Sequence, residues 1–129
     1  MTVHALADTS VFVALEQDRP LANPPPDELS ISVMTLAELQ LGVLNAASTA
    51  IRSQRLRTLQ AVRDRVDALP VDEGVASRFA EIVAELRADG RKSPVVDVLI
   101  AATALHHGLP LCTQDRDFSR YPHIEILQI

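Results

Sequence analysis

Four carboxylates in this sequence lie among apolar residues, where a charged side chain is unusual. Asp8 is the only charged residue among the first fifteen, and Glu38 is the only one in a long uncharged stretch. Asp97 lies in an otherwise apolar segment, and Asp115 follows another, with Asp117 two residues later. A buried, unpaired carboxylate costs several kcal/mol, so these acids are candidates for a chemical role.

A structural interpretation is open for some of these acids. Asp8 is predicted at the end of a strand, where Asp is common as a turn or cap residue. Thr35 and Glu38 have the spacing of a capping box, in which the glutamate bonds back to the amide of the cap residue. Asp97 is predicted three or four residues into a helix that is apolar all round, which is too deep for a simple cap. For Asp97 the functional interpretation is therefore favoured.

The elements that must position these acids are alternating strands and helices. This alternation predicts an α/β domain with a mostly parallel central sheet. Apolar periodicity, together with caps at Ser48 or Thr49, Asp72 and Ser93, places the helices. The predicted strands are 3–7, 29–33, 69–71, 109–113 and 124–127, and the predicted helices are 11–15, 35–47, 48–68, 72–90 and 93–108.

In a parallel sheet, the acids that follow the strands meet at one edge. We predict that Asp8, Glu38, Asp97 and Asp115 converge there, each just past a strand or in the first turn of the next helix. Two carboxylates about 4 Å apart repel by about 4 kcal/mol at an effective dielectric of about 20, so the group needs protons or cations. Oxygen ligands without histidine favour Mg²⁺ or Mn²⁺ over zinc, and carboxylate-held Mg²⁺ commonly acts on phosphates.

Four short segments, in order, resemble the signatures of PIN-domain nucleases, and within that family of the VapC-type toxins of bacterial toxin–antitoxin modules. The resemblance covers nearly the whole chain. It implies a three-layer α/β fold, with a five-stranded, mostly parallel sheet and helices on both faces, formed by residues 1–129 as a single domain. The segments are Asp8-Thr9-Ser10, Thr35-x-x-Glu38, Asp97-x-x-Ile100-Ala101-Ala102 and Thr113-x-Asp115-x-Asp117-Phe118.

The resemblance also implies a site. Asp8, Glu38 and Asp97 match the three core acids of the family, and Asp115 matches the fourth, with Asp117 as the alternative. Asp8 and Asp97 would bind Mg²⁺, or Mn²⁺, directly or through water, while Glu38 and Asp115 would position waters or a second ion. Hydroxyls near the metal, and a cation close to the acids, are expected from Thr9, Ser10, Thr113 and Arg116.

The implied activity is metal-dependent cleavage of structured RNA, such as tRNA or ribosomal RNA. A metal-activated water would attack in line and leave a 5′-phosphate and a 3′-hydroxyl. The resemblance also implies a homodimer and silencing by a cognate VapB-type antitoxin. The antitoxin's tail would place a basic residue in the acidic pocket.

RNA contacts are predicted where basic residues cluster. The segment 51–67 has five arginines against two aspartates, although the whole chain has a net charge of −5. A solvated helix face or an antitoxin surface explains this cluster equally well. The candidates for RNA contact are Arg52, Arg55 and Arg57 on this segment, and Arg91 and Lys92 before the predicted helix of Asp97.

Composition excludes other classes. With 129 residues, 47% of them hydrophobic, the chain is expected to be one folded domain, and four scattered glycines rule out glycine-rich nucleotide loops. One cysteine, Cys112, rules out an internal disulfide. No secretory leader or membrane-spanning run is recognisable, so a cytoplasmic protein without membrane association is expected.

Two alternative functions remain. A receiver-like phosphoacceptor domain also gathers acids above a parallel sheet, but it needs a lysine after a late strand, and the only lysine here, Lys92, precedes a helix. A catalytically silent PIN-like binding module has the same fold without activity. The presence of all four acids gives no support to lost activity.

Overall fold

The chain forms five strands and five α-helices, as the sequence predicts, and at two places two helices follow each other without a strand between them. The structure is a computed structural model that describes residues 2–129. The strands are β1 (His4–Ala7), β2 (Glu28–Ser32), β3 (Asp67–Leu69), β4 (Leu111–Thr113) and β5 (Ile126–Gln128). The helices are α1 (Thr9–Glu16), α2 (Val33–Leu44), α3 (Thr49–Arg65), α4 (Glu73–Ala88) and α5 (Val95–His106), with a 3-10 helix at Arg116–Arg120.

The five strands form one sheet in the order β3-β2-β1-β4-β5, and every adjacent pair is parallel. The predicted α/β architecture with a parallel sheet is confirmed. Strand order reverses at β1 and β4, and in open α/β sheets ligands bind at such a switch point, beyond the carboxyl ends of the strands. The order also differs from the 2-1-3-4-5 order of receiver-like domains, so that alternative is wrong.

Helices cover both faces of the sheet, because side chains of a strand alternate between its two faces. Leu6 of β1 packs with the residues of α4 and α5, whereas its neighbours Ala5 and Ala7 pack on the opposite face with those of α1 and α3. These two apolar clusters make the three layers that the family resemblance implies. No helix within residues 2–129 combines the length and the apolar character needed to cross a membrane.

Some element boundaries differ from the prediction. Helix α3 ends at Arg65, so that Asp67–Leu69 pairs with β2, whereas 69–71 was the predicted strand. The residue after Leu69 is Pro70, which has no amide to donate to a sheet, and the strand ends there.

Two of the three predicted helix caps are confirmed. The Ser48 side chain accepts a hydrogen bond from the amide of Ile51, and Asp72 accepts one from Val75. The cap at Ser93 is wrong: α5 begins one residue later than expected, after Pro94, and no side chain caps it.

Helix α4 ends in a glycine-dependent turn. The Arg91 amide donates to the Leu86 carbonyl at 2.8 Å and the Gly90 amide to the Arg87 carbonyl at 3.0 Å, while Gly90 has φ = +70°. This is a Schellman motif, which requires a left-handed residue. The turn sends the chain directly into the segment before α5.

Replacing this glycine tests the turn. Gly90→Ala is expected to lower the free energy of unfolding by about 1 kcal/mol, because a side chain disfavours positive φ. No atom lies within 4 Å of the added Cβ, so the cost is one of backbone conformation alone. Urea unfolding measures it, with Asp89→Ala in the preceding exposed cap position as the control. An unchanged midpoint would show that the left-handed turn is not a constraint on this chain.

Candidate active site

Asp8 lies directly after β1, at the switch point of the sheet. Its side chain is 4% exposed, and its amide donates to the carbonyl of Cys112 on the neighbouring β4 at 3.0 Å. Burial raises the pKa of Asp8 to about 6, although hydrogen bonds from the hydroxyls of Ser10 and Thr113 partly oppose the rise. Nearby Asp115 raises it further. Asp8 is thus a buried acid without a compensating cation among the groups that set its pKa.

Ser10 and Thr113 join the ends of β1 and β4. The Ser10 hydroxyl donates to Oδ1 of Asp8 at 2.7 Å and accepts from the amide of Gln114 at 3.0 Å. The Thr113 hydroxyl lies 3.3 Å from that of Ser10 and accepts from the amide of Asp115 at 2.9 Å. The two predicted hydroxyls therefore fix the position of one acid and the backbone of another.

The family resemblance implies cleavage of RNA, and removal of the Ser10 hydroxyl is expected to impair that activity without unfolding the protein. Ser10→Ala should lower kcat/KM by about 10- to 100-fold, as the loss of a partner that orients a metal-binding carboxylate usually does. Ser77→Ala, on the exposed surface of α4, is the matched control. Equal activity of the two variants would remove Ser10 from the site.

Glu38 lies in the second turn of α2. Its Oε1 accepts a 2.6 Å hydrogen bond from the hydroxyl of Thr9, which also lies 3.2 Å from the hydroxyl of Thr35. The cap of α2 is Ser32, whose side chain accepts from the amide of Met34, so the capping-box interpretation of Glu38 is wrong. The glutamate is instead held across helices, towards the start of α1.

Asp97 lies in the first turn of α5 and is partly buried. Burial is the largest cause of its raised pKa, followed by the negative charges of Glu38 and Asp115 and, more weakly, that of Asp117. Arg120 opposes the rise. Acids from α2 and from the end of β4 thus act on Asp97 in the folded chain, although these residues are far apart in sequence.

Asp115 and Asp117 differ in their surroundings. Asp115 is partly buried and caps the 3-10 helix, accepting a 2.8 Å bond from the amide of Asp117 through Oδ1. Asp117 is exposed, and it raises the pKa of Asp97 less than Asp115 does, whereas Asp115 also raises the pKa of Asp8. These contacts favour Asp115 as the fourth acid of the cluster. Arg116 is exposed and forms no ion pair within residues 2–129.

The expectation that each acid lies just past a strand, or in the first turn of the helix that follows that strand, is wrong in two cases. Glu38 is a full turn inside α2, and α5, which carries Asp97, follows α4 rather than a strand. Both reach the cluster because of how their helices pack: α2 and α5 contact each other as well as β2. Helix packing, and not strand order, brings these two acids to the switch point.

The donor set suits a hard divalent cation. Asp8, Glu38, Asp97 and Asp115 offer oxygen atoms only, as Mg²⁺ and Mn²⁺ prefer. In residues 2–129 no three acidic, His or Cys side chains have the spacing of a ready-made metal site. Mg²⁺ retains several waters and uses few direct carboxylate contacts, so the spaced arrangement fits an ion held partly through water.

The predicted RNA contacts lie in two regions. Arg55 is partly buried, and its Nη1 donates to the carbonyl of Gly42 at 2.8 Å, so this guanidinium fixes α3 to α2. Arg52 and Arg57 are exposed on α3. Arg91 and Lys92 are exposed on the segment that leads into α5, and they are therefore closer in sequence to the acids than the α3 arginines are.

Sequence analysis missed two residues that contact or influence the acids. Thr35 is fully buried beside Thr9, and its spacing of three from Glu38 was the available signal. Arg120 lowers the pKa of Asp97, and its buried Nε has no hydrogen-bond partner. No local pattern identifies Arg120, because its position depends on the 3-10 helix that begins after Asp115.

Comparison with known proteins gives one consistent family. The sequence model of the PIN-domain family matches residues 5–124 of this chain. The ribonuclease VapC5 of Mycobacterium tuberculosis is 47% identical over 87% of this chain and 83% of its own length, and VapC4 of the same organism is 42% identical over 97% and 96%. A crystal structure of VapBC-5 from M. tuberculosis, described as a member of the VapBC family of toxin–antitoxin systems, matches with a TM-score of 0.86 and 40% identity over 98% of this chain and 99% of that one. The chain therefore belongs to the PIN-domain family and, within it, to the VapC ribonucleases.

Proposed function

We propose that this protein is a metal-dependent endoribonuclease toxin of a VapBC module, that it cleaves a structured RNA such as tRNA or ribosomal RNA, and that it acts in the cytoplasm. The observation that supports this proposal most strongly is the cluster of Asp8, Glu38, Asp97 and Asp115 at the switch point of the sheet. Asp115 raises the pKa of Asp8, and Glu38 and Asp115 raise the pKa of Asp97. Negative charge is therefore in excess at this point, and a cation would compensate it.

The residues have distinct roles in this proposal. Asp8 and Asp97 hold Mg²⁺ or Mn²⁺, because burial and neighbouring acids raise the pKa of both carboxylates, and Arg120 only partly offsets this at Asp97. When bound, the ion polarises the phosphodiester and lowers the pKa of a water molecule. Glu38 and Asp115 orient water for in-line attack, and Asp115 does so from the cap of the 3-10 helix.

The hydroxyls keep these acids in position. Thr9 holds Glu38, and Ser10 holds Asp8 at 2.7 Å, so both acids are oriented before RNA binds. In-line attack with the 3′-oxygen as leaving group gives a 5′-phosphate and a 3′-hydroxyl. Arg116, exposed beside Asp115 and Asp117, is available to the substrate strand.

We further propose a VapB-type antitoxin and a second copy of the chain as partners. The structural relative VapBC-5 is a toxin–antitoxin system, which supports an antitoxin for this chain. Exposed leucines on the α2–α3 pair give apolar surface for such contacts: Leu41 is 55% exposed, Leu44 61% and Leu56 41%. An antitoxin arginine placed among the acids would supply the positive charge that they lack.

The test of the proposed function is cleavage of a total-RNA pool by the purified protein, followed by sequencing of the new 5′-phosphate ends. A few discrete cuts are expected with Mg²⁺ or Mn²⁺, and none with EDTA. When the toxin is co-expressed and purified with its cognate antitoxin, the complex is expected to make no cuts.

Absence of cuts from folded protein in the presence of Mg²⁺ and Mn²⁺ would favour the catalytically silent binding module. Cuts that persist in EDTA would contradict the role of a metal. Cuts spread over all RNAs, without discrete positions, would contradict a defined structured target.

A further inference from the structure

A groove separate from the acid cluster lies between α4 and the start of α5. Its volume is about 430 Å³, within the range of pockets that hold small ligands. Apolar side chains form its walls, including the ring of Phe79, Val83 and Leu86 from α4, and Val95 and Val98 from α5. Val95 is 62% exposed, so the groove is open at this edge.

Cations surround this apolar groove. Arg87, Arg91 and Lys92 all border it, although the chain as a whole has a net charge of −5. Within residues 2–129 Arg87 and Lys92 form no ion pair, and Arg91 has only a 4.0 Å contact with the exposed Asp89. An apolar groove that contains an aromatic ring and is bordered by unpaired cations suits a planar nucleobase with a phosphate attached.

The first turn of α5 separates this groove from the acids. Successive helical residues are about 100° apart, so Asp97 faces a different side from Val98, which lines the groove. No side chain caps α5, and its first backbone bond runs from the Val98 amide to the Pro94 carbonyl. The preceding amides have no acceptor within the helix, and they belong to the turn that carries both Val95 of the groove and Asp97. Free amides at the start of a helix favour a phosphate.

Ser93 adds a polar group to the groove. It lines the groove, and its buried hydroxyl oxygen makes no hydrogen bond of ordinary length, although it lies near enough to the Tyr121 hydroxyl to lower the pKa of that group. A buried hydroxyl without a partner is uncommon, since most such groups are satisfied. Rotation about its side-chain bond would let this hydroxyl donate to or accept from a base edge.

We propose that this groove binds one unpaired nucleobase of the RNA, from a nucleotide adjacent to the cleaved bond, with its phosphate held by Arg91, Lys92 and the amides of α5. The identity of the ligand as RNA rests on the proposed nuclease function. The groove would thereby select RNAs in which a base near the cut is unpaired, and its shape would contribute to target choice.

The test measures binding without turnover. Methyl NMR shifts of Val83, Val95 and Val98 are recorded in EDTA while AMP, GMP, CMP or UMP is added, with ribose 5-phosphate as the probe that lacks a base. At least one nucleotide is expected to shift these methyls saturably, and ribose 5-phosphate is not. Arg91→Gln with Lys92→Gln should raise the nucleotide Kd by roughly three- to tenfold.

The matched control loses two charges elsewhere: Arg63→Gln with Arg65→Gln, both exposed on α3, should leave that Kd unchanged. Equal shifts with ribose 5-phosphate would overturn the base site and leave an anion site. No saturable shift with any nucleotide would also overturn it. Shifts that depend on protein concentration alone would assign the groove to a second copy of the chain.

Because no metal or cleavage is involved, these results are independent of the nuclease test. A protein that binds nucleotides here but cuts no RNA would retain the groove proposal and lose the proposed function. A protein that cuts RNA but fails the nucleotide test would retain the function and lose the groove.

Discussion

Asp97→Asn is expected to lower the rate of RNA cleavage by about 10³-fold or more, since an amide cannot replace the carboxylate that holds the divalent ion in the proposed function. The raised pKa of Asp97 reflects burial and the charges of Glu38 and Asp115, so the ionised side chain is unfavourable in the metal-free fold. The amide removes that charge at nearly the same volume. The variant should therefore be at least as stable as the original protein while being inactive.

The measurement is initial cleavage rate at saturating Mg²⁺, together with urea unfolding in EDTA. Asp117→Asn is the matched control, because Asp117 is exposed and has a weaker effect on Asp97 than Asp115 does. It should retain activity within about threefold, the range usual for a surface charge. Cleavage retained by Asp97→Asn would contradict the site, and loss in Asp117→Asn with retention in Asp115→Asn would exchange the roles of these two acids.

Asp8→Asn is expected to stabilise the metal-free protein at neutral pH. The pKa of Asp8 is about 6 in the folded chain, against an ordinary value of 3.8. The folded state therefore binds this proton more tightly than the unfolded state does, and stability falls as the pH rises from about 4 through 6. A difference of about two pKa units corresponds to about 3 kcal/mol, and the whole of this penalty applies above pH 7.

The variant isolates this effect. The asparagine can still accept the hydrogen bond from Ser10 but carries no charge, so the advantage of Asp8→Asn should be near zero at pH 4 and approach about 3 kcal/mol above pH 7. Groups that do not interact with Asp8, including Asp72 with its lowered pKa, contribute equally to both proteins and cancel. Urea unfolding in EDTA over this pH range measures the difference.

Repeating the same unfolding experiment with Mg²⁺ in place of EDTA makes it more specific. Mg²⁺ should stabilise the original protein more than Asp8→Asn, because a ligand that binds only the folded state raises its stability. A stability difference that stays constant from pH 4 to pH 8 would show that the Asp8 carboxyl does not have the raised pKa.

Much of the fold could be predicted because local signals were strong. The alternation of apolar strands with capped helices predicted the parallel sheet, and the all-apolar segment around Asp97 predicted the buried helix α5, whose residues Ile100 to Ala104 are nearly inaccessible. Boundaries were less accurate where tertiary contacts set them. β3 lies at 67–69 because it pairs with β2 there, and no local pattern records that partner.

The cap assignments at Thr35 and Ser93 show why local patterns mislead. Thr35-x-x-Glu38 has the correct spacing for a capping box, but Ser32 already accepts the hydrogen bond from the Met34 amide, so Glu38 is free to bind Thr9. Ser93 before Pro94 has the pattern of a helix start, yet α5 begins after Pro94 without a side-chain cap. In both cases the pattern was correct about a helix but not about the bonds of its side chains.

The sequence by itself identified the candidate acids, because a carboxylate in an apolar segment is costly whatever the fold. It also determined the sheet type and the family. Tertiary structure alone decided the strand order that makes β1 and β4 neighbours, the helix packing that brings Glu38 and Asp97 to that point, and the choice between Asp115 and Asp117 that their burial favours. It also placed Arg120 beside the acids and formed the groove before α5, since both depend on contacts between segments distant in the chain.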